Sequence, residues 1–525
     1  MMRKIPGLIV VAILLVLSQS SPVAAQEPEK SEKSEKDAKP GEAKPAPEPP
    51  APKEESSVTD HTIKIGGQTI AYRATASTTL IKDEKGEPTA GIFTIAYTRS
   101  DVKDMSQRPL SFVYNGGPGS SSIWLHMGAF GPRRVVTTDA GPTPPPPFKL
   151  VDNAECLLDK TDLVFVDPVG TGFSRAVGKA KDKDFWGVDQ DVKSLAQFIA
   201  TYVSRNGRWN SPKFLIGESY GTFRSAALGN YLQQHNGMYF NGIDLISSVL
   251  DLGTISFLPG DDISYIFYVP SYAATASYHK LLKDPPADLN AFLVEARQFA
   301  ATEYAGALMK GSNLSAAEKA DIAKKLSRFT GLSEDYLIKA DLRVKLPQFM
   351  AELQRARGLA TGRLDARFSG PEPDLLAEYA FNDPQSAAVE GAFVAAFNSY
   401  VRDDLKFGKD LTYNTSADID QWDWKRTGQG AHHGFPGSPN VEQDLVEALV
   451  TNPQLHVEVE NGLYDLATPF SATEYTMTHL GLPENLQKNI HLQYYDAGHM
   501  MYLHEADLSK LKANVATFLD NATKQ

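Results

Sequence analysis

Short apolar segments with strand-like composition recur along the chain, and segments with helical periodicity lie between several of them. Each apolar segment is rich in Val, Ile and aromatic residues and is bounded by Gly, Asp or Pro. The segments begin at Ser111, Leu163, Lys213, Leu245, Leu455 and Ile490. Strands that are buried on both faces have this composition. Their alternation with helical patterns, such as residues 186–205 and 441–451, predicts an α/β fold with a mostly parallel central sheet covered by helices.

Two regions depart from this alternation. Residues 62–99 contain short alternating segments joined by glycine-containing turns, which predict N-terminal antiparallel strands. Between about 254 and 436 the strand signal disappears, and helical patterns such as residues 315–329 dominate. We therefore predict an α/β domain formed by residues 58–253 and 437–525, with a helical insertion at residues 254–436.

The first 57 residues are not expected to belong to the fold. Arg3 and Lys4 precede an apolar run at residues 8–17, and Val23 and Ala25 occupy the small-residue positions of a cleavage site. This pattern predicts a signal peptide at residues 1–25, and hence a secreted or periplasmic protein. A membrane anchor is the alternative, but the run is about half of the ~20 apolar residues that span a bilayer. Residues 26–57 contain no Val, Ile, Leu or aromatic residue, which predicts a disordered linker.

Charge and cysteine content exclude several kinds of partner and cofactor. The chain has 52 basic and 64 acidic residues, a net charge of −12, which disfavours binding to nucleic acid or to anionic membranes. Cys156 is the single cysteine, so the chain can form no intrachain disulfide and no multi-cysteine metal site. We expect Cys156 to be a small buried residue, and no cofactor site is visible.

A glycine-flanked serine, Ser219, lies where a predicted strand meets a predicted helix. The sequence from Gly217 to Gly221 reads GESYG, between the strand pattern KFLIG and the helical pattern at residues 222–235. This is the setting of a nucleophile elbow, in which small neighbours let a sharp turn expose the serine hydroxyl at a helix N-terminus. The alternative is a surface turn bracketed by glycines and without a catalytic role.

A serine hydroxyl needs a base, and the base needs an acidic group to orient it. Asp465 and His499 each follow a late predicted strand, in the chain order that suits this arrangement. Both are therefore expected at the carboxyl edge of the parallel sheet, where open α/β sheets place their sites. The other histidines are expected to be structural or exposed. His432 and His433 lie in a Gly-rich loop, but no carboxylate lies at a ligand-like spacing, so no metal site is predicted.

The loop that follows the strand at Ser111 is rich in glycine and reads NGGPGSSS from Asn115. Glycines let backbone N–H groups approach a ligand closely. An oxyanion hole takes one N–H from such a loop and one from the residue after the nucleophile. We therefore predict Gly117 and Tyr220 as the two donors.

These motifs together resemble the serine carboxypeptidase family. NGGPGSSS, DPVGTGFS at residues 167–174, GESYG, the late Asp465 and AGHMMY at residues 497–502 occur in family order. The resemblance covers about residues 110–518 and implies an α/β-hydrolase fold with a helical cap. It also implies release of single C-terminal residues from peptides, with Ser219, Asp465 and His499 as the triad. Asn115 and Glu218 match the family residues that bind the substrate's terminal carboxylate. Glu218 can do so only when protonated, so we expect an acidic pH optimum.

The chain departs from the family pattern at several positions. Many family members carry a second glutamate where this chain has Ala129. Arg133 and Arg134 follow closely and are alternative cationic clamps for a carboxylate, unless they are simply exposed. Tyr114 replaces the usual tryptophan before the asparagine, and Ser120 replaces the usual cysteine.

Three functions therefore remain open from the sequence. The first is a secreted serine carboxypeptidase that acts on peptides with a free C-terminus. The second, favoured by Ala129, is an esterase or acyltransferase on the same fold. The third is a non-catalytic binding protein, which the intact set of serine, aspartate and histidine disfavours. We also expect Tyr114, Phe173 and cap residues to line the side-chain pocket. No oligomeric state is predicted.

Overall fold

The computed structural model describes residues 52–426 and 438–524. The predicted signal peptide and most of the predicted linker lie outside these residues, as do His432 and His433, so those predictions stay untested. Within the described ranges, no helix combines the length and the apolar character needed to cross a membrane.

A ten-stranded sheet forms the centre of the fold, in the strand order β1-β2-β3-β7-β4-β9-β10-β13-β14, with β8 paired to β3. Its strands are β1 (Ser56–Ile65), β2 (Gln68–Lys82), β3 (Pro88–Arg99), β4 (Leu110–Tyr114), β7 (Asp162–Val166), β8 (Arg175–Ala176), β9 (Lys213–Glu218), β10 (Gly242–Ile246), β13 (His456–Gly462) and β14 (Ile490–Tyr495). Two small separate sheets pair β5 (Arg133–Val135) with β6 (Leu150–Asp152) and β11 (Leu359–Thr361) with β12 (Ser369–Pro371).

The N-terminal strands pair antiparallel, as the alternating pattern predicted. β1 pairs with β2, β2 with β3 and β3 with β7, all in antiparallel register. β1 begins at Ser56, within the predicted linker, and the N–H of Leu80 donates a hydrogen bond to Glu54 Oε1 at 2.9 Å. Strand pairing with β2 orders these polar residues although they bury little apolar surface.

The other half of the sheet is parallel from β7 through β14. The prediction of a mostly parallel central sheet is therefore confirmed. The strand predicted to start at Leu245 is shifted, since β10 covers Gly242–Ile246 and ends just before Ser247, whose φ of 51° turns the chain out of the sheet. Parallel pairing places the carboxyl ends of β4, β9, β10, β13 and β14 along one edge.

Helices cover both faces of this sheet. The α-helices of the chain are α1 (Val188–Arg205), α2 (Tyr220–Asn236), α3 (Ile263–Tyr278), α4 (Leu289–Phe299), α5 (Ala305–Lys310), α6 (Ala316–Thr330), α7 (Glu334–Lys339), α8 (Leu346–Glu352), α9 (Pro384–Ser399), α10 (Glu442–Thr451), α11 (Phe470–Thr478), α12 (Glu484–Gln487) and α13 (Glu505–Ala522). Phe112 and Leu215 share one core with α1, α2 and α10. Val113 and Ile216, the next residues along the same strands, share another core with α13. This alternation buries both faces, as the composition of the strands requires.

The segment between β10 and β13 carries α3 to α10 and a third apolar core. Its helical content agrees with the pattern read from the sequence, apart from the short β11–β12 pair, which the sequence did not suggest. Leu463 and Leu466, which follow β13, pack into this third core. The insertion is thereby joined to the edge of the sheet where the candidate site residues lie.

Candidate active site

Ser219 stands at a sharp turn between β9 and α2. Its φ of 61° and ψ of −129° are unusual for a residue with a side chain, and Ser219 is the N-cap residue of α2. A side chain on Gly217 would collide with the backbone of Gly221, which has to lie directly beneath the turn. Two glycines and a strained serine are the local requirements of a nucleophile elbow, and the sequence GESYG meets them.

The loop after β4 lies against this elbow. A Cβ on Gly116 would collide with the backbone nitrogen of Tyr220, so glycine alone permits this approach. Gly117 follows with a φ of 103°. Within the described residues, the N–H groups of Gly117 and Tyr220 donate no hydrogen bond to another group. The two predicted oxyanion donors therefore lie in adjoining, closely packed loops, and their role stays a prediction.

His499 and Asp465 come together at the end of the sheet. The Nδ1 atom of His499 lies 2.7 Å from Asp465 Oδ2, and both side chains are buried. Asp465 is itself held in place, because its Oδ1 accepts the N–H groups of Ala467 at 2.7 Å and Thr468 at 2.9 Å. An acceptor at Nδ1 fixes the proton there and leaves Nε2 as the basic nitrogen. Burial lowers the pKa of His499, but the carboxylate of Asp465, through its charge and its hydrogen bond, together with the charge of Glu218, raises the pKa above its usual value.

A short segment of the insertion supports both of these residues. The N–H of His499 donates to the carbonyl oxygen of Leu364 at 2.6 Å, and the N–H of Leu466 donates to that of Arg363 at 3.1 Å. Ser247 Oγ donates to the carbonyl oxygen of His499 at 2.7 Å. The loops that carry the acid and the base are thus fixed to one another through residues 363–364.

A cavity of about 260 Å³ collects the candidate residues. It is lined by Asn115, Gly116, Gly117, Ser120, Trp124, Glu218, Ser219, Arg363, Leu364, Gln385, Ser386, Val389, Glu390, Thr415, Ser416, His499 and Met500. Ser219 and His499 both face it, but no hydrogen bond joins their side chains among the described residues. Catalytic hydrogen bonds are often long without substrate, so the pairing of hydroxyl and imidazole stays a prediction.

Asn115 and Glu218 lie side by side at the floor of the cavity. Asn115 Nδ2 donates to Glu218 Oε1 at 2.8 Å, while Glu218 Oε2 is buried and makes no hydrogen bond within the described residues. Burial raises the pKa of Glu218 to about 7, against the opposing effects of His499, Tyr502 and Asn115. Tyr502 acts on this pKa although its buried hydroxyl makes no hydrogen bond in the described part of the chain. Glu218 is therefore able to exist as a neutral acid near pH 7.

A buried arginine connects the loop after β4 to the elbow helix. Arg224 Nη1 donates to the carbonyl oxygen of Asn115 at 2.7 Å, and its Nε donates to Asp191 Oδ2 at 2.6 Å. The guanidinium also lies over the aromatic rings of Tyr114 and Tyr220 in cation–π contacts. Because Tyr220 carries one predicted oxyanion donor and Asn115 precedes the other, Arg224 fixes the spacing of the two loops.

Several sequence expectations for the pocket need correction. Tyr114 is fully buried with its hydroxyl 2.9 Å from Ser225 Oγ, and Phe173 packs edge-on against Phe93, so neither lines the cavity. Both face the core because β4 and the loop at residues 167–174 lie inside the fold. Arg133 and Arg134 are not a clamp at this cavity either. Arg133 pairs with Asp152 at 2.9 Å and Arg134 pairs with Glu505 at 3.2 Å, both outside the cavity lining.

Comparison with known proteins relates these features to one family. The profile of the family described as serine carboxypeptidase matches residues 93–287. This match includes the loop after β4 and the elbow, while Asp465 and His499 lie beyond it.

Individual carboxypeptidases match over shorter segments. The pheromone-processing carboxypeptidase KEX1 of Saccharomyces cerevisiae is 30% identical over 161 residues, which cover 29% of this chain and 21% of that protein. The retinoid-inducible serine carboxypeptidase of Homo sapiens is 32% identical over 136 residues, 25% of this chain and 27% of that protein. The chain thus spans only about a fifth to a quarter of the length of these relatives in alignment.

The likeness in fold extends further than the likeness in sequence. The crystal structure of a prohormone-processing carboxypeptidase, Kex1(delta)p from Saccharomyces cerevisiae, superposes with a TM-score of 0.51 and 19% identity. The superposition covers 85% of this chain and 92% of that one. The chain therefore has the α/β-hydrolase fold of the serine carboxypeptidases.

The cavity beside Ser219 also contains residues that the sequence did not mark. Trp124 follows the NGGPGSSS motif closely, so its place beside the loop was open to inference. Arg363, Gln385 and Val389 come from the insertion, where no motif marked them. Long-range packing of the insertion, rather than any local pattern, brings them to the cavity.

Proposed function

We propose that the chain is a serine carboxypeptidase that releases C-terminal residues from peptides through an acyl-enzyme. The observation that carries this proposal is a cavity lined by Ser219, His499 and the hydrogen-bonded pair of Asn115 and Glu218. Asp465 is hydrogen-bonded to the Nδ1 atom of His499. The family match over residues 93–287 supports the same reaction class. Hydrolysis at a free C-terminus needs both a nucleophile and a carboxylate-binding group, and the cavity supplies both kinds.

The reaction begins with attack of Ser219 Oγ on the scissile carbonyl carbon. His499 Nε2 takes the hydroxyl proton, and Asp465 stabilises the imidazolium that forms. The N–H groups of Gly117 and Tyr220 bind the oxyanion, and each such donor contributes roughly 3 kcal/mol to stabilising the transition state. His499 then gives its proton to the leaving amine, whose departure forms the ester. Water attacks the ester with His499 again as the base and releases the acid product and Ser219.

Asn115 and Glu218 select the substrate end. In this proposal, Asn115 Nδ2 and the protonated Glu218 carboxyl donate hydrogen bonds to the terminal carboxylate of the peptide. An ionised Glu218 would repel that carboxylate at close range, so the neutral form is the binding form. The buried Oε2 of Glu218, which makes no hydrogen bond within the described residues, is where such a proton would be carried.

Blocked dipeptides with a free or an amidated C-terminus test the proposal. We expect wild-type protein to hydrolyse the free acid at a kcat/KM at least tenfold higher than that of the amide, and Ser219→Ala to lose nearly all activity. Equal rates on the two substrates would exclude the carboxypeptidase assignment and favour an esterase or acyltransferase. Full activity in Ser219→Ala would exclude both.

The second candidate function, an esterase or acyltransferase, is supported by Ala129. Many carboxypeptidases have a second glutamate there, and this chain presents a buried methyl group instead. A panel of short-chain esters beside the peptide panel distinguishes the two functions. An esterase would hydrolyse esters without regard to a neighbouring carboxylate, whereas a carboxypeptidase would prefer esters that retain it.

Export through a cleaved signal peptide at residues 1–25 is part of the proposal. The basic residues Arg3 and Lys4, the apolar run that follows and the small residues Val23 and Ala25 support it. Mass spectrometry of the protein secreted by its own cells, or by an expression host, would read the new N-terminus. We expect it near Gln26, and an uncut Met1 would contradict export by this route.

A further inference from the structure

Arg363 is a cation in the wall of the cavity, and it makes no ion pair with any residue that the structure describes. It lines the cavity together with Ser219 and His499, and its side chain is exposed. Within residues 52–426 and 438–524, its guanidinium makes no hydrogen bond and no salt bridge. An arginine of this kind is a ready partner for a carboxylate, because its planar N–H groups match the two carboxylate oxygens.

The backbone of Arg363 is fixed relative to the reacting groups. Its carbonyl oxygen accepts the N–H of Leu466 at 3.1 Å, next to Asp465 in the chain. Its own N–H donates to Asp383 Oδ2 at 2.9 Å, and Asp383 also caps α9. The adjacent Leu364 accepts the N–H of His499. The backbone of Arg363 therefore has a fixed position relative to His499, and its side chain starts from that position.

The other charged groups of the cavity do not neutralise Arg363. Glu218 lies on the floor, bonded to Asn115, and Glu390 lines the wall from α9 without a salt bridge to Arg363 in the described residues. Burial, and to a smaller extent the positive charge of Arg363, act to lower the pKa of His499, but Asp465 and Glu218 outweigh them and the pKa is raised. The charge of Arg363 is therefore felt at the reacting centre.

We propose that Arg363 is a specificity residue that binds a carboxylate of the peptide substrate. This inference rests on the proposed function. Asn115 and Glu218 are assigned to the terminal carboxylate, which leaves Arg363 for a second carboxylate. A peptide with an acidic side chain next to the scissile bond occupies both sites at once. The other carboxylate within the same peptide that Arg363 would recognise in this way is the terminal carboxylate. Peptides that carry Asp or Glu near their C-terminus are thus the expected substrate class.

Equilibrium binding to a protein that cannot turn over tests this directly. The protein is full-length Ser219→Ala, and the probes are N-blocked tripeptides with Glu or Gln at the last or the penultimate position, each as free acid and as amide. We expect a preference of about tenfold for Glu over Gln at one of the two positions, on the scale of a hydrogen-bonded ion pair. Adding Arg363→Gln should abolish that preference, and Arg363→Lys should retain part of it.

Arg73→Gln is the matched control. This change removes an exposed arginine of β2 that pairs with Asp60 of β1 and does not line the cavity. The Arg73→Gln variant should keep the full preference for Glu over Gln. If Arg363→Gln instead weakens only free-acid peptides, whichever side chain they carry, Arg363 binds the terminus. If Arg363→Gln binds all peptides as its parent does, or if no peptide binds the parent, the inference is overturned.

Failure of this inference is distinguishable from failure of the proposed function. Hydrolysis of peptides by wild-type protein tests the function, whereas the Glu-to-Gln ratio in binding tests Arg363. Turnover without any effect of Arg363→Gln on the ratio would overturn the inference alone. A ratio that depends on Arg363 in a protein that hydrolyses no peptide would overturn the function alone.

Discussion

Replacing Glu218 by Gln should remove the pH dependence of C-terminal carboxylate recognition. Glutamine has the shape of a protonated glutamate, keeps an Oε1 that accepts from Asn115 Nδ2, and cannot ionise. In the wild-type protein, burial raises the pKa of Glu218 to about 7. If the neutral acid is the binding form, recognition of a free C-terminus should weaken as pH rises through that value.

The size of the effect follows from the pKa. With a pKa of about 7, Glu218 is roughly 90% protonated at about pH 6 and roughly 10% protonated at about pH 8. The kcat/KM for a free-acid peptide divided by that for its amide should therefore fall about tenfold over this interval in wild-type protein. His499 has to be neutral for both substrates, so its titration cancels in the ratio. In Glu218→Gln the ratio should stay constant.

The assay measures both substrates at half-unit steps of pH in one buffer series of constant ionic strength. On the free acid alone, the wild-type profile should be bell-shaped, since His499 must lose a proton while Glu218 keeps one. The falling limb should be absent in Glu218→Gln. A wild-type ratio that does not change with pH, or a ratio that still falls in Glu218→Gln, would refute the assignment of Glu218 as a protonated donor.

Two further predictions concern buried charges. Arg224→Met should lower the free energy of unfolding by about 3–5 kcal/mol, because it leaves Asp191 buried and unpaired; the denaturant midpoint measures this, and a loss below 1 kcal/mol would contradict it. Asp244 on β10 is buried with neither carboxylate oxygen hydrogen-bonded in the described residues, and burial raises its pKa well above the usual value. At this carboxyl the folded state therefore binds more protons than the unfolded state, so the contribution of Asp244 to stability should be greatest below its unfolded pKa and should fall as pH rises above about 4. Asp244→Asn should flatten this fall between about pH 5 and 8, and an unchanged slope would show that Asp244 does not cause it.

Much of the site was predictable because its residues follow strands. Asn115, Ser219, Asp465 and His499 each come after a strand that the sequence identifies, and parallel pairing brings all those strand ends to one edge. The glycines of the two loops marked where backbone had to approach backbone. Strand ends and glycines can be read from short stretches of sequence, without knowledge of contacts between distant segments.

The remaining parts depend on contacts between distant segments. Nothing around residue 363 suggests that its backbone bonds to the loops of Asp465 and His499, because the contact depends on how the insertion packs on β13. Tyr502 shows a related limit. The motif AGHMMY placed it near His499, but its nearness to Glu218 follows from packing against Gly128, where a Cβ would collide with the Tyr502 ring.

Labelling with a fluorophosphonate, followed by peptide mapping, tests most directly whether Ser219 is an activated nucleophile. We expect one phosphonyl group per molecule, located on Ser219 within the peptide that contains GESYG, and no labelling of Ser219→Ala. The labelling rate should rise with pH as His499 becomes neutral, and it should fall by orders of magnitude in His499→Gln. Labelling at another residue, or a rate that does not depend on His499, would contradict the proposed triad.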